Sequence, residues 1–181
     1  MKKLCVIISI MSLLLVGCGE TLMNTPTKKV EMFLDKYKTL DNDVTTQLND
    51  LVDGYSLFDD ESKEEYKKLM KKHYKNLNYE VKEERINGDQ AVVTTEIEVT
   101  DYSKIMTDAN SYLANHRDEF SDSNGNYNEL LFTKYRINKL KEASETVKYT
   151  IDFQLKKENK KWVLEDLTDE QEAKINGMYT Y

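Results

Sequence analysis

Residues Tyr79–Thr100 read YEVKEERINGDQAVVTTEIEVT, and their apolar residues recur with a period of two. Ala91, Val93, Thr95, Ile97 and Val99 take one side of the second half. Thr94, Glu96, Glu98 and Thr100 take the other, with Val92 as the exception. Successive side chains of a strand point to opposite faces, so this alternation predicts a strand with one buried and one wet face. In the first half Tyr79 and Val81 alternate with charged residues. Between the halves stands Ile86-Asn87-Gly88-Asp89. Asn-Gly predicts a two-residue hairpin turn, because both of its residues adopt positive φ there.

Upstream of the hairpin the period is helical. Thr25-Pro26 has the form of an N-cap followed by proline at the first helical position. Val30, Phe33, Leu34, Tyr37 and Leu40 then form one apolar stripe, which predicts an amphipathic helix over about 26–40. Asp41-Asn42-Asp43 breaks it, and Val44, Leu48, Leu51 and Val52 predict a shorter helix ending near Gly54. From Asp59 to Leu77, Tyr66, Leu69, Met70, His73, Tyr74 and Leu77 share a third helical face. Asp59, Asp60 and Glu61 open that segment and Lys71 and Lys72 lie near its end, as the helix dipole favours.

Downstream, Ile105, Met106, Ala109, Tyr112, Leu113, His116 and Phe120 predict a helix over Tyr102–Phe120. A polar loop over 121–126 separates it from a further helix at about 128–142. Val147, Tyr149, Ile151, Phe153 and Leu155 alternate with polar residues, and a turn at 158–160 leads to Trp162 and Leu164 as a second hairpin. Thr168 and Gln171 have the spacing of a capping box opening a short last helix. Helices followed by antiparallel strands argue for an α+β fold: N-terminal helices on a curved antiparallel sheet of about four strands, with a helical insertion between two hairpins. One such domain spans 26–181.

This order resembles the cystatin-like, nuclear-transport-factor-two-like superfamily. Thr25-Pro26-Thr27 opening a Val/Phe/Leu helix, and Trp162-Val163-Leu164-Glu165-Asp166-Leu167 closing the last strand, resemble a group of uncharacterised Gram-positive lipoproteins. These motifs are architectural and carry no catalytic signature.

The start of the chain agrees. Lys2 and Lys3 precede an apolar run of 13 residues, Leu4–Val16, interrupted only by Ser9 and Ser12. A membrane-spanning helix needs about 20 apolar residues, so the run has the proportions of a secretory signal. Leu15-Val16-Gly17-Cys18 resembles the lipobox of bacterial lipoproteins. That resemblance implies cleavage between Gly17 and Cys18 and a diacylglycerol on the Cys18 thiol. Residues 1–17 are then the signal, 18–25 the lipidated cysteine and a short tether. A plain signal with a chance cysteine, or an uncleaved anchor, is the alternative. Two acyl chains hold stably where one holds marginally. The expected location is the extracytoplasmic face of a cell membrane, in a Gram-positive bacterium. Cys5, the other cysteine, lies in the removed segment, so Cys18 would have no disulfide partner in the mature chain.

Cleavage removes two of the 26 basic residues and none of the 33 acidic ones, moving the formal charge from −7 to −9. An acidic domain gains nothing from a phosphate polyanion, so no nucleic-acid partner is expected. Five or six extended tether residues reach about 20 Å. They would leash the domain near the bilayer without basic residues to lay it on the surface.

Chemistry-bearing residues are sparse. His73 and His116 are the only histidines, and both fall on apolar stripes. A buried general base or half of a metal site is one reading; a histidine hydrogen-bonded at the core margin is the one favoured. Asp122, Asn124, Asn126 and Asn128 alternate as in a calcium loop. That loop wants glycine sixth and glutamate twelfth, where this chain has Tyr127 and Thr133. A plain polar loop is the better reading. Glu96 and Glu98 share the wet face of a strand and read as solvated surface. The twelve tyrosines mostly fall on buried stripes, as large core residues with a polar tip. Should the cone between sheet and helices be open, His73, Tyr37, Tyr149 and Trp162 are the candidates to line it. No catalytic or metal residue is assigned and no cofactor is expected. The function expected is a non-catalytic binding or interaction module of the cell envelope, taking an envelope protein or a small apolar ligand. The alternative is an isomerase- or dehydratase-like enzyme working in a cone-shaped pocket.

Overall fold

The order of elements follows that reading closely. The computed structural model describes residues 23–180, so Gly17, Cys18, the signal and most of the tether lie outside the described residues. Helix α1 (Pro26–Thr39), α2 (Asn42–Asp53) and α3 (Asp60–Lys75) precede strands β1 (Asn78–Asn87) and β2 (Gln90–Thr100). Then come α4 (Tyr102–Asn115), a 3-10 turn (Arg117–Phe120) and α5 (Glu129–Glu142). Strands β3 (Thr146–Glu158) and β4 (Lys161–Leu164) and the short α6 (Asp169–Ile175) complete the chain. The four strands form one antiparallel sheet in the order β1-β2-β3-β4. The fold is α+β, with helices packed on a sheet.

Local chemistry sets the boundaries. The Thr25 hydroxyl accepts from the Lys28 amide, with Pro26 in the first turn of α1. Leu40 ends that helix in the left-handed region at φ 54°, so it caps the stripe that it was expected to extend. Asp41 both breaks the chain direction and caps α2, accepting from the Asp43 amide. Asp59 caps α3 through the Ser62 amide. Thr168 and Gln171 form the full capping box.

Two expectations shift. Asn87 pairs with Gln90, so the residues of the first turn are Gly88 and Asp89. Only Gly88 has positive φ, at 63°, which is the requirement of a type II′ turn rather than of an Asn-Gly type I′ turn. The second hairpin takes the other solution, with Asn159 at φ 50° and Lys160 at 67°. The helix expected over 102–120 stops at Asn115. His116, at φ −136°, turns the chain into the 3-10 segment that carries Phe120.

The sheet buries one face. Ala91, Val93, Thr95, Ile97 and Val99 are each at most 3% exposed. Opposite them on β3 stand Leu155, Phe153, Ile151, Tyr149 and Val147 in unbroken register. Helix α1 lays Val30 and Leu34 on this surface, and Phe33 meets Phe153 edge-on at 5.9 Å. Burying side chains of this size contributes about 1.5–3 kcal/mol each. The outer face is wet: Glu96 sits 3.0 Å from Lys148 and 3.7 Å from Lys82, and those ammonium groups hold its carboxyl below the ordinary value. Thr146 donates to Glu98. On the edge strand, Lys82 is unmatched where the register shifts between Val81 and Glu83. Beyond that bulge, Glu84 accepts from the amide and hydroxyl of Thr27 at the start of α1, tying the sheet edge to the helix.

Candidate functional site

The space between the sheet and α1 is filled by Val30, Leu34, Leu77, Phe153, Trp162 and Ile175, among others. The expected cone is therefore a packed core, and the residues expected to line it have separate duties. His73 lies on α3 and is 1% exposed, deeper than a place at the core margin. Its Nε2 is 2.8 Å from the Ile175 carbonyl, an atom that only accepts, so Nε2 carries the proton. Its Nδ1 is left buried with no hydrogen-bond partner among the described residues. Burial pushes His73 below the ordinary imidazole value, against the opposite pull of the Ile175 carbonyl. The ring stands 4.9 Å from Tyr102, and the Gly177 carbonyl accepts from the Tyr102 and Ser103 amides. His73 thus pins the C-terminal segment between α3 and α4.

Tyr149 is 2% exposed and donates from its hydroxyl to the Tyr179 carbonyl at 3.0 Å. Trp162 is buried under the Lys157 ammonium, and its amide donates to Asn24. Tyr37 packs edge-on against Tyr74 at 5.0 Å and borders a recess of about 230 Å³ that also touches Glu172 and Asn176. The structure does not bring these four candidates together. His116 is half-buried and stacked on Tyr112 at 3.9 Å, far along the chain from His73 and in a different cluster of side chains. Asp122 accepts from the amides of Asn124 and Asn126, and these bonds hold its carboxyl below the ordinary value. The alternating polar loop is thus closed on its own backbone. Asn128 at its end caps α5.

The most apolar recess lies elsewhere, beside the helical insertion. It has a volume of about 360 Å³ and is bordered by the 54–58 loop, α3, α4, α5 and Met178. Phe58, Tyr66, Met106, Ile137 and Leu140 supply its apolar wall. Tyr55 and Leu57, 38% and 56% exposed, stand in the loop that borders it. Phe58 links the loop to the wall, with its ring 5.2 Å from Tyr55 and 5.6 Å edge-on from Tyr66. Side chains with polar groups also line it: Tyr55, Ser56, Tyr66, Thr133 and Arg136. Arg136 Nη2 donates to the Thr133 hydroxyl at 3.2 Å and to Glu129 at 3.3 Å, and its guanidinium lies over the Phe132 ring. The Tyr66 hydroxyl has no hydrogen-bond partner among the described residues. Burial raises its pKa above the ordinary phenol value, with smaller contributions from Tyr55 and Tyr102 that Arg136 opposes. A volume of this size falls within the range of small-molecule sites, which pair an apolar wall with a few convergent polar groups.

Sequence reasoning missed this site. Its signal is Tyr55, Leu57 and Phe58: three large apolar residues in a six-residue connection between helices, where neither flanking stripe calls for them. Arg136 and Thr133 carry no signal of their own, because α5 has apolar residues on several sides.

Fold and cavity together define an α+β domain with helices on one face of a four-stranded antiparallel sheet and a pocket in its helical insertion. No protein family matches the chain, and no curated protein does. Among solved structures it is similar to YcdA of Bacillus subtilis, whose crystal structure is described as that of a "putative lipoprotein". The two share 17% identity with a TM-score of 0.41, over 67% of this chain. The chain spans 38% of the length of that neighbour.

Among the described residues no helix is long and apolar enough to cross a membrane.

Proposed function

We propose that the chain is an extracytoplasmic lipoprotein of the cell membrane, held by diacylglycerol on Cys18, and that its domain is a non-catalytic binding module of the envelope. The anchor rests on Leu15-Val16-Gly17-Cys18 behind a charged, short apolar run. The binding half rests on one observation. The sheet-to-helix interface is filled, whereas the insertion holds an apolar cavity of about 360 Å³. The occupant is a small apolar ligand taken in that cavity rather than in a cone against the sheet. An isomerase-like enzyme would need an acid or histidine beside an open pocket, whereas His73 is sealed in packed side chains. The four-stranded antiparallel sheet with the first helix packed on it supports a cystatin-like ancestry for the domain.

Two measurements test the two halves. Cells fed labelled palmitate should incorporate it into the wild-type chain, and Cys18→Ala should stay unlabelled with its signal uncut. A mature, lipid-labelled Cys18→Ala chain in the membrane overturns the anchor. For the cavity, native mass spectrometry of the full chain from its own membranes should show a bound small apolar molecule. Met106→Trp, which fills the cavity, should lose it. The same bound mass in both proteins overturns the assignment of the site.

A further inference from the structure

The polar groups of the cavity say more about its occupant than its volume does. A guanidinium presents five N–H donors. The bonds to Thr133 and Glu129 both leave from Nη2, so the hydrogens on Nη1 and Nε have no partner among the described residues. The Tyr66 hydroxyl is likewise unpaired. A mostly apolar lining therefore carries donors from α3 (Tyr66) and from α5 (Arg136, 24% exposed), for which a ligand can supply the acceptor. The question is whether that acceptor is charged.

Two observations favour a neutral one. Arg136 is already paired with Glu129, 3.3 Å away and only about a third exposed. A carboxylate ligand would place a second anion beside Glu129 with one cation between them, and like charges in a partly dry site oppose one another. The whole chain also carries a formal charge of −7, which repels anions as they approach. An ester carbonyl or hydroxyl takes the same hydrogen bonds without either cost. Elsewhere in the lining, Phe58, Met106, Ile137 and Leu140 offer apolar surface, with methionine able to adapt to a flexible chain.

We infer that the cavity binds an uncharged single-chain amphiphile, with its acyl chain among Phe58, Met106, Ile137 and Leu140 and its ester or hydroxyl head on Arg136 and Tyr66. This rests on the cavity being a ligand site, as proposed above, and names the class of ligand. Such a molecule is a monoacylglycerol in its chemistry. It could reach the cavity from the bilayer beneath or from solution.

The test uses the full chain in its own membranes and a monodecanoylglycerol carrying a photoreactive diazirine in its acyl chain. Cross-links mapped by mass spectrometry should fall on Tyr66, Met106 and Met178. Unlabelled monodecanoylglycerol should displace the probe at concentrations at least ten-fold below those needed with decanoate or with dodecane. Tyr66→Phe removes only a hydroxyl without a partner, so it should fold as the wild type does. It should need five- to ten-fold more monodecanoylglycerol for the same occupancy, with dodecane unchanged. Decanoate displacing the probe best would overturn the neutral head. Equal displacement by all three, or an unaltered Tyr66→Phe, would overturn any role for the head and leave an apolar ligand site standing. Cross-links that avoid the cavity would overturn both readings. Washing the membranes free of added probe and repeating in detergent-free solution separates the two sources: retained competition in the aqueous phase assigns a soluble ligand, and its loss assigns the bilayer.

Discussion

The sheet side and the insertion side of this domain solve the same packing problem to different completeness. On the sheet side, β2 and β3 pair without a break from Gln90–Lys156 to Thr100–Thr146, and each inward residue has a fixed neighbour. A one-residue slip would turn every one of them outward, so register and packing reinforce each other. On the insertion side, α4 and α5 pack on each other and on α3, joined by a 3-10 turn and a polar loop rather than by a ladder. Ala109, Phe120 and Phe132 make a small separate cluster there, and Tyr112, Leu113 and Tyr135 stay partly exposed around it. The largely apolar recess of about 360 Å³ lies on this side. Rigid strand pairing leaves little freedom for a void, whereas helices joined by irregular chain can stand apart and leave one. The part of the fold least constrained by hydrogen-bonded register is the part free to hold a ligand.

The sharpest way to break this contrast is to remove equivalent bulk from each side. Phe153 is fully buried, between the sheet and Phe33. Phe153→Ala should cost about 3–5 kcal/mol in urea unfolding, from lost transfer energy and the cavity left behind. Met106 already faces empty volume, so Met106→Ala should cost only about 1 kcal/mol. Equal losses would mean that the insertion is as tightly packed as the sheet core.

The junction of the two sides is held at Gly177. Its φ is 68°, and a Cβ there would lie 2.1 Å from the Thr100 carbonyl oxygen and 3.0 Å from His73 Cε1. Gly177→Ala should therefore lower stability by at least about 2 kcal/mol, combining the left-handed penalty with a displaced backbone. It should also weaken the Tyr102 and Ser103 bonds to the Gly177 carbonyl. Faster amide exchange at Tyr102 and Ser103 than at Val93 would show that the loss is local to the junction. A wild-type melting curve for the variant would dismiss the close approach.

His73 makes the same junction sensitive to pH. Burial lowers its folded pKa below the unfolded value of 6.5. Above pH 6.5 the imidazole is neutral in both states and its effect on stability does not vary. As pH falls below 6.5 the unfolded chain takes up a proton that the folded chain refuses, so stability declines until the folded pKa is passed. The carboxyl of Asp59 is held at about 2 by Lys134 and the Ser62 bonds, so its own loss comes at lower pH. Urea midpoints measured between pH 7.5 and pH 5 should fall, and His73→Gln should flatten that fall. An unchanged slope in the variant would locate the titration elsewhere.

How much of this was legible beforehand follows from the same physics. Strand residues such as Val93 and Ile97 declare their face by alternation, so the inner surface of the sheet could be read residue by residue. Caps at Thr25 and Thr168 are equally plain, because a side-chain oxygen and the helix start are neighbours in sequence. The turn shifted by one residue, since Asn87-Gly88 and Gly88-Asp89 are both competent pairs and only the pairing of Asn87 with Gln90 decides between them. The apolar stripe puts His73 on the right face of α3 but says nothing of its depth. Its burial is set by Ile175 and Gly177, about a hundred residues away. The cavity was not legible, because a void is what several elements leave between them. No single stretch encodes the distance between α3 and α5.

That void gives the smallest predicted effect and the one most specific to it. Adding bulk to a filled core forces side chains off their rotamers and costs about 1–3 kcal/mol. Val93→Leu, on the sheet side at 0% exposure, should behave in this way. Met106→Phe places similar extra volume against the cavity of the insertion, where there is room for a ring beside Phe58 and Tyr66. Its stability should change by less than about 1 kcal/mol and in the favourable direction, since new contacts form without displacing old ones. The two variants therefore move urea midpoints in opposite senses from the same kind of substitution. A Met106→Phe protein that loses as much as Val93→Leu would show that the helices close over the cavity in solution, and the binding site would go with it.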